Sequence, residues 1–227
     1  MIEINVRGTD PYYSQRNNKV RPLASCNVTS MVAALDYAGY IHPVSSKYDQ
    51  PEDNLMDFML TNPEVDAEYQ KLFPDEYKKY IASGKNPKTS YPPSELHALL
   101  SLGTNLWMGR KRGEITKFRW DLTLRDIVYE FIQKRPVVTS GVFAKLHHVI
   151  CLTGVQTSQV GIMRVDKAQG IEVDKIIGII IEDPYGDFHT NYTTQRGKDI
   201  IMTLSEFNSF INVQGQPLKW GHTFVKV

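Results

Sequence analysis

Cysteine is scarce in this chain of 227 residues, which has only Cys26 and Cys151. Two thiols make no disulfide framework, and no Cys-x-x-Cys pair is present to build a structural zinc site. A charge excess is also missing: 26 Lys and Arg stand against 25 Asp and Glu, for a net charge of +1. That balance leaves no electrostatic footprint for nucleic acid or for an anionic membrane surface. Arg110-Lys111-Arg112 is short and reads as a solvated loop. Long apolar runs are absent. The longest aliphatic stretch, Ile176 to Ile181, contains Gly178 and is far too short to span a bilayer. The N-terminus is polar from the third residue and lacks the apolar core of a secretory signal, so synthesis in the cytoplasm is expected. There is no internal repeat and no low-complexity tract. What is present, 41% hydrophobic and 22% charged residues, is ordinary for a globular protein with one sizeable core.

The chain divides by texture. Val28, Met31, Val32 and Leu35 recur at helical spacing and Gly39 follows as a stop, which puts Cys26 at or just before a first helical turn. Residues from about 41 to 112 read as short helices joined by Pro- and Gly-bearing loops. Leu55 to Leu60 is apolar, Asp66 to Ala82 is interrupted at Pro74, and Ser94 caps a stretch that Gly103 ends. Thr123 and Asp126 have capping-box spacing before the face Leu124, Ile127, Val128, Phe131 and Ile132, which Pro136 closes. From Val137 the texture turns to strands: Val137–Phe143, His148–Val155, Val160–Val165 and Lys175–Glu182. Thr203 and Glu206 predict a capped helix over about Leu204 to Ile211, and His222 to Val227 a last strand. Helices first and an antiparallel sheet afterwards is an α+β order. With no flexible linker between the halves, we expect a single domain with a helical lobe over about 1–136 and a β lobe over about 137–227.

Cys26 is the residue that carries chemistry. Free N–H groups and the positive dipole end of a helix start lower the pKa of a thiol placed there, and the thiolate is the nucleophile. A single Cys is more often a small buried hydrophobe. It needs a base, a group to orient that base, and donors for an oxyanion. His147 and His148 open one strand. Asp183 ends another, before the turn set by Pro184 and Gly186. Gln15 lies eleven positions before Cys26. Each is unremarkable alone, and only the set in this order is informative. Metal is not expected. His148 and Cys151 project to opposite sides of a strand, Cys151 reads as core, and Asp166, Glu172 and Asp174 lack calcium-loop spacing.

The order Gln, Cys at a helix start, His opening a strand and Asp on a later strand resembles the papain-like cysteine peptidases. The local words resemble one branch, the double-glycine (bacteriocin-processing) peptidases and their stand-alone relatives, which include phage cell-wall lysins. They are Tyr12-Tyr13-Ser14-Gln15, Cys26-Asn27-Val28-Thr29-Ser30, His148 with Gly154 six residues on, and Asp183-Pro184-Tyr185-Gly186. The stretch from Arg16 to Ser25 is longer than the usual Gln-to-Cys spacing. The segment RVDKAQGIEVDK adds an apparent hairpin.

The resemblance implies a papain-like fold and a cysteine endopeptidase without cofactor. Cys26 is then the nucleophile, His148 the base, Asp183 its orienting partner, and Gln15 with the Cys26 N–H the oxyanion donors. His148 is preferred to His147 on the family spacing. Thr190–Asp199 and Lys219–His222 are similar in texture to the phage lysins. The expected substrate is therefore the stem peptide of peptidoglycan, reached after release by a holin, with no nucleic-acid partner and no membrane insertion. An intracellular processing peptidase, a transglutaminase-like acyl transferase and a silent papain-like binding protein stay open.

Overall fold

In a computed structural model of the chain, the described residues are 1–84, 93–211 and 219–225. Helix α1 (Cys26–Tyr37) forms where the apolar spacing places it, with Val28, Met31, Val32 and Leu35 wholly buried. Gly39, at φ 84°, ends it: its N–H donates to Asp36 C=O and the Tyr40 N–H to Leu35 C=O, the paired bonds of a left-handed cap. Helices α2 (Pro51–Thr61), α3 (Pro63–Leu72) and α4 (Pro74–Ser83) each start on a proline, which has no N–H to lose in a first turn. Pro74 is thus a boundary between two helices.

Helix α5 (Pro93–Trp107) corrects one expectation. Ser94 falls inside its first turn, and the Ser94 side chain lies outside the described residues. Gly103 does not end α5, because it is there for packing. A Cβ at this position would lie 2.0 Å from the Met59 sulfur on α2. Helices α6 (Leu124–Ile132) and α7 (Leu204–Phe210) both carry the expected capping boxes, Thr123 with Asp126 and Thr203 with Glu206.

Seven strands form one antiparallel sheet: β1 (Ile2–Asn5), β2 (Thr116–Leu122), β3 (Val137–Phe143), β4 (Leu146–Thr157), β5 (Ile176–Asp183), β6 (Gly197–Thr203) and β7 (Lys219–Phe224). Their order is β2-β7-β3-β4-β5-β6, with β1 added on β4. The fold is α+β. Strands β1 and β2 come from the first 136 residues, so the sheet is not confined to the second half of the chain. Val160–Val165 is not a strand: Gly161 turns the chain at φ 75° into a short 3-10 turn over Ile162–Arg164. The apparent hairpin in RVDKAQGIEVDK is likewise two 3-10 turns, Ala168–Gly170 and Val173–Lys175.

The sheet separates two apolar cores. On one face α6 and α7 pack with Ile150, Leu152, Ile179 and Ile181. On the other, α1, α2, α3 and α5 pack with Val138, Val149 and Cys151. Alternation along β4 produces this division. Gly154, the glycine six residues after His148, has a structural task. A Cβ there would come within 2.0 Å of the Ile4 carbonyl oxygen, so its absence lets β1 cross β4 closely.

Candidate active site

Cys26 is the first residue of α1, and Ser25 before it makes no side-chain cap. Within that turn the Val28 N–H donates to Asn27 Oδ1 at 2.8 Å, and the Cys26 N–H is left uncapped by Ser25. Strand β5 pairs with β4 only from Cys151 onward, so the β5-facing edge of β4 is open around His148 and Val149. The start of α1 fills that opening. Ser30, one turn after Cys26, donates to the Val149 carbonyl at 3.1 Å, and the Val149 N–H interacts with the Cys26 thiol.

His148 is almost fully buried, and its Nε2 donates to Asp183 Oδ1 at 2.7 Å. Asp183 is wholly buried at the end of β5. It also accepts from the Tyr185 N–H at 2.9 Å and from the Tyr192 hydroxyl at 3.4 Å. These bonds fix the carboxylate and take up Nε2, so Nδ1 is the ring nitrogen left to meet Cys26. The rings of Tyr185 and Tyr192 stand edge-on to the imidazole at 6.1 and 6.3 Å and shield the bond to Asp183 from water.

The electrostatics follow from this packing. Burial alone would raise the Cys26 thiol. The charge and hydrogen bond of His148, with the Val149 N–H, outweigh it and hold the thiol below its usual range, while Asp183 opposes them. Burial would lower His148, but the charges of Asp183 and Cys26 and hydrogen bonds to both push it up to about 10. Both shifts favour the thiolate–imidazolium form of the pair, and a thiolate is the nucleophilic form of cysteine. Cys151 is the opposite case. It is buried in the core, and burial followed by the Glu182 charge drives its thiol well above the usual value.

Gln15 begins a short 3-10 turn and is buried. Its N–H donates to the Pro184 carbonyl at 2.9 Å, and its side-chain Nε2 donates to the Pro22 carbonyl at 2.9 Å. The long segment from Arg16 to Ser25 is a braced loop. Buried Asp53 on α2 accepts from the N–H groups of Lys19 at 2.9 Å and Val20 at 2.7 Å, and Asn18 donates to Ser25 and Thr29 at 2.9 and 3.0 Å. The extra residues thus fold back on the start of α1 through Asn18, with Gln15 held between the Pro22 and Pro184 carbonyls.

The structure brings Cys26, His148 and Asp183 together, sets Gln15 beside the turn that follows Asp183, and leaves His147 exposed. Among the described residues no group of three or more His, Cys, Asp or Glu side chains is placed to hold a metal, and no helix is long and apolar enough to cross a membrane. Sequence reasoning gave no role to Tyr192 or to the Val149 N–H, and Ser30 appeared only as a letter of the Cys26 motif. Tyr12 and Tyr185 were visible inside the motifs, but nothing marked what they touch. The Tyr12 hydroxyl donates to the Asp183 carbonyl at 2.6 Å.

Comparisons with known proteins bear on the fold and the family. No curated protein matches the chain. A crystal structure from Bacillus anthracis, of a protein named for its likeness to C39 peptidases, superposes with a TM-score of 0.52 at 13% sequence identity. The superposition covers 100% of this chain and 99% of that one, which speaks for the fold alone. The Peptidase_C39 like family matches residues 9–209, a span that runs from before Gln15 to beyond Asp183. The chain belongs to the Peptidase_C39 like family.

Proposed function

We propose that the protein is a cysteine endopeptidase in which Cys26 attacks a peptide or isopeptide carbonyl and forms an acyl-enzyme. His148 gives its proton to the leaving amine and then activates water for deacylation. Asp183 holds the imidazole with Nδ1 toward the thiol, and Gln15 with the Cys26 N–H receives the oxyanion. The observation that carries this reading is the coupling of Cys26 to a His148 that is itself bonded to Asp183. A silent scaffold has no need to keep a buried imidazolium beside a lowered thiol.

The substrate we infer is the peptide part of bacterial cell wall, as in a phage-type peptidoglycan hydrolase. Tyr12–Gln15, Cys26–Ser30 and Asp183–Gly186 resemble the branch that includes the stand-alone lysins, and the similar texture of Thr190–Asp199 and Lys219–His222 to the phage lysins supports this substrate. Purified protein should clear the turbidity of isolated walls from a susceptible bacterium and release new amino groups. Release of reducing sugars in their place would make the chemistry glycosidic and the mechanism wrong. Walls left intact while a protein is cleaved would give the role of processing peptidase instead. Amine incorporation without hydrolysis would give that of acyl transferase.

A further inference from the structure

Beside the Cys26–His148 centre lies an open groove of about 650 Å³. Tyr12, Ser14, Arg16 and Asn17 form one side, and Gln195 and Arg196 the other. No acidic side chain lines it, yet two guanidinium groups do. Arg16 is immobilised by neutral groups: its Nε donates to the Tyr185 carbonyl at 2.6 Å and an Nη to the Tyr192 carbonyl at 3.4 Å, with the guanidinium 3.9 Å above the Tyr185 ring. The two carbonyls take only part of its five N–H hydrogens and leave its charge unneutralised. Arg196 is exposed and has no side-chain partner among the described residues. Two like charges beside one concavity, both without a counter-charge, raise its affinity for an anion.

Tyr12 and Arg16, which line the groove, connect it to the Cys26–His148 centre. The Tyr185 ring that carries Arg16 on its face is 6.1 Å from the His148 ring, and Tyr12 bonds the Asp183 carbonyl. An extended peptide rises about 3.3 Å per residue, so a chain with its scissile bond at Cys26 reaches the groove within a few residues.

We propose that this groove holds a carboxylate of the peptide substrate, either an acidic side chain or a free C-terminus a few residues from the cleaved bond, with Arg16 and Arg196 as its two cations. The assignment deepens the peptidase reading and rests on it for the name of the substrate, while the ion pairing itself stands on the groove.

The test uses fluorescein-labelled Ala/Gly octapeptides in three series: one Glu at each successive position with an amidated C-terminus, the same peptides with Gln, and the Gln series with a free C-terminal carboxylate. Fluorescence anisotropy is measured with the Cys26→Ala protein, which cannot turn them over, and with Arg196→Gln and Arg196→Glu in that background. At least one carboxylate peptide should bind about fivefold or more tightly than its neutral counterpart. That advantage should shrink in Arg196→Gln, vanish in Arg196→Glu and weaken with added salt. The Glu series or the free-terminus series, whichever shows it, names the source of the carboxylate. Equal or undetectable binding of all three series, or an advantage that survives Arg196→Glu, overturns the proposal. Turnover by the parent protein separates the two readings. Cleavage of walls without carboxylate preference leaves the peptidase and removes the groove. Carboxylate preference without cleavage of any peptide or wall does the reverse.

Discussion

Ser30 Oγ donates to the Val149 carbonyl at 3.1 Å across 119 positions of sequence. The bond joins the helix that begins at Cys26 to the strand residue after His148, and both groups are buried. It sets how far α1 slides along β4, and therefore the spacing of thiol and imidazole. Ser30→Ala should lose about 1 kcal/mol of stability, the ordinary value of such a bond plus some cost for the orphaned carbonyl. It should also slow iodoacetamide alkylation of Cys26 near neutral pH. Normal alkylation with lowered stability would reduce Ser30 to a packing residue.

The two thiols should differ sharply in reactivity. Cys26 is partly exposed with a lowered pKa, while Cys151 is buried with a raised one. Brief iodoacetamide treatment followed by mass spectrometry should label Cys26 almost alone. Cys26→Ala should abolish turnover with the fold intact. Cys151→Ala should retain activity and cost about 1 kcal/mol in packing. Equal labelling of both, or faster labelling of Cys151, would sink the assignment.

The pair also sets a pH window. Because the Cys26 thiol is lowered and His148 is raised to about 10, the thiolate–imidazolium form occupies the whole interval between. Alkylation of Cys26 should rise at lower pH than that of an ordinary thiol, whose pKa is about 8.5. Peptidase activity should fall as His148 loses its proton toward about 10. A raised histidine stabilises the folded state fully below its unfolded value of about 6.5 and loses that contribution as pH climbs through the folded one. Melting temperatures at neutral and at alkaline pH should therefore differ more in the parent than in His148→Ala. An alkylation profile centred near the ordinary thiol value would contradict the coupling.

Behind the site, Arg7 bridges Glu182 at 3.0 Å and Asp199 at 2.6 Å. Glu182 precedes Asp183 and lies beside Tyr37 and Cys151 on the α1 side of the sheet, so this pair ties the leading segment to the strand end that carries Asp183. Burial raises Glu182 to about 8 against the lowering effect of the Asp199 N–H and then of Arg7. At a pH where Glu182 is ionised, Arg7→Ala leaves a buried charge without its cation, which typically costs about 3–5 kcal/mol. The pKa of Glu182 would rise further. A raised carboxyl is stabilising while protonated and loses that contribution as pH rises, so the deficit against the parent should grow above about 8. Adding Glu182→Gln should recover much of the loss. Chemical denaturation at pH values on either side of that point checks it, and a pH-independent deficit would assign the effect to packing.

The parts of the molecule that periodicity and capping determine were legible. The apolar face of α1, the Thr123 and Thr203 boxes and the Asp183-Pro184 turn are local signals, and they set the position of Cys26 and Asp183. Long-range pairing was not legible. Ile2–Asn5 is too short to announce a strand, and its place depends on Gly154 leaving room for the Ile4 backbone. Gly103 looked like a helix stop because the sequence carries no sign of Met59 pressing on it from α2. Val160–Val165 has strand-like composition, yet Val160 and Met163 are exposed while Ile162, with Val165 beside it, packs on the α6 side of the sheet, and a turn supplies that. At the site, Ser30 and the Val149 N–H matter through an edge of β4 that β5 leaves open, a fact of topology.

The adjacent histidines give the sharpest test. Successive strand residues project to opposite sides. His148 is buried against Asp183, and His147 is exposed opposite Val142 of β3. Loss of a general base typically costs about two to four powers of ten in rate. His148→Ala should lose at least the lower of these, and its Cys26 should alkylate as slowly as an ordinary thiol near neutral pH, because the imidazolium that lowers it is gone. Asp183→Asn should produce a milder form of the same change: Nε2 keeps a partner, but the charge that holds His148 protonated is removed. His147→Ala should stay within a few-fold of the parent in both measurements. If His147→Ala were the inactive variant and His148→Ala merely unstable, the base would be His147, and the bond to Asp183 would be part of the core.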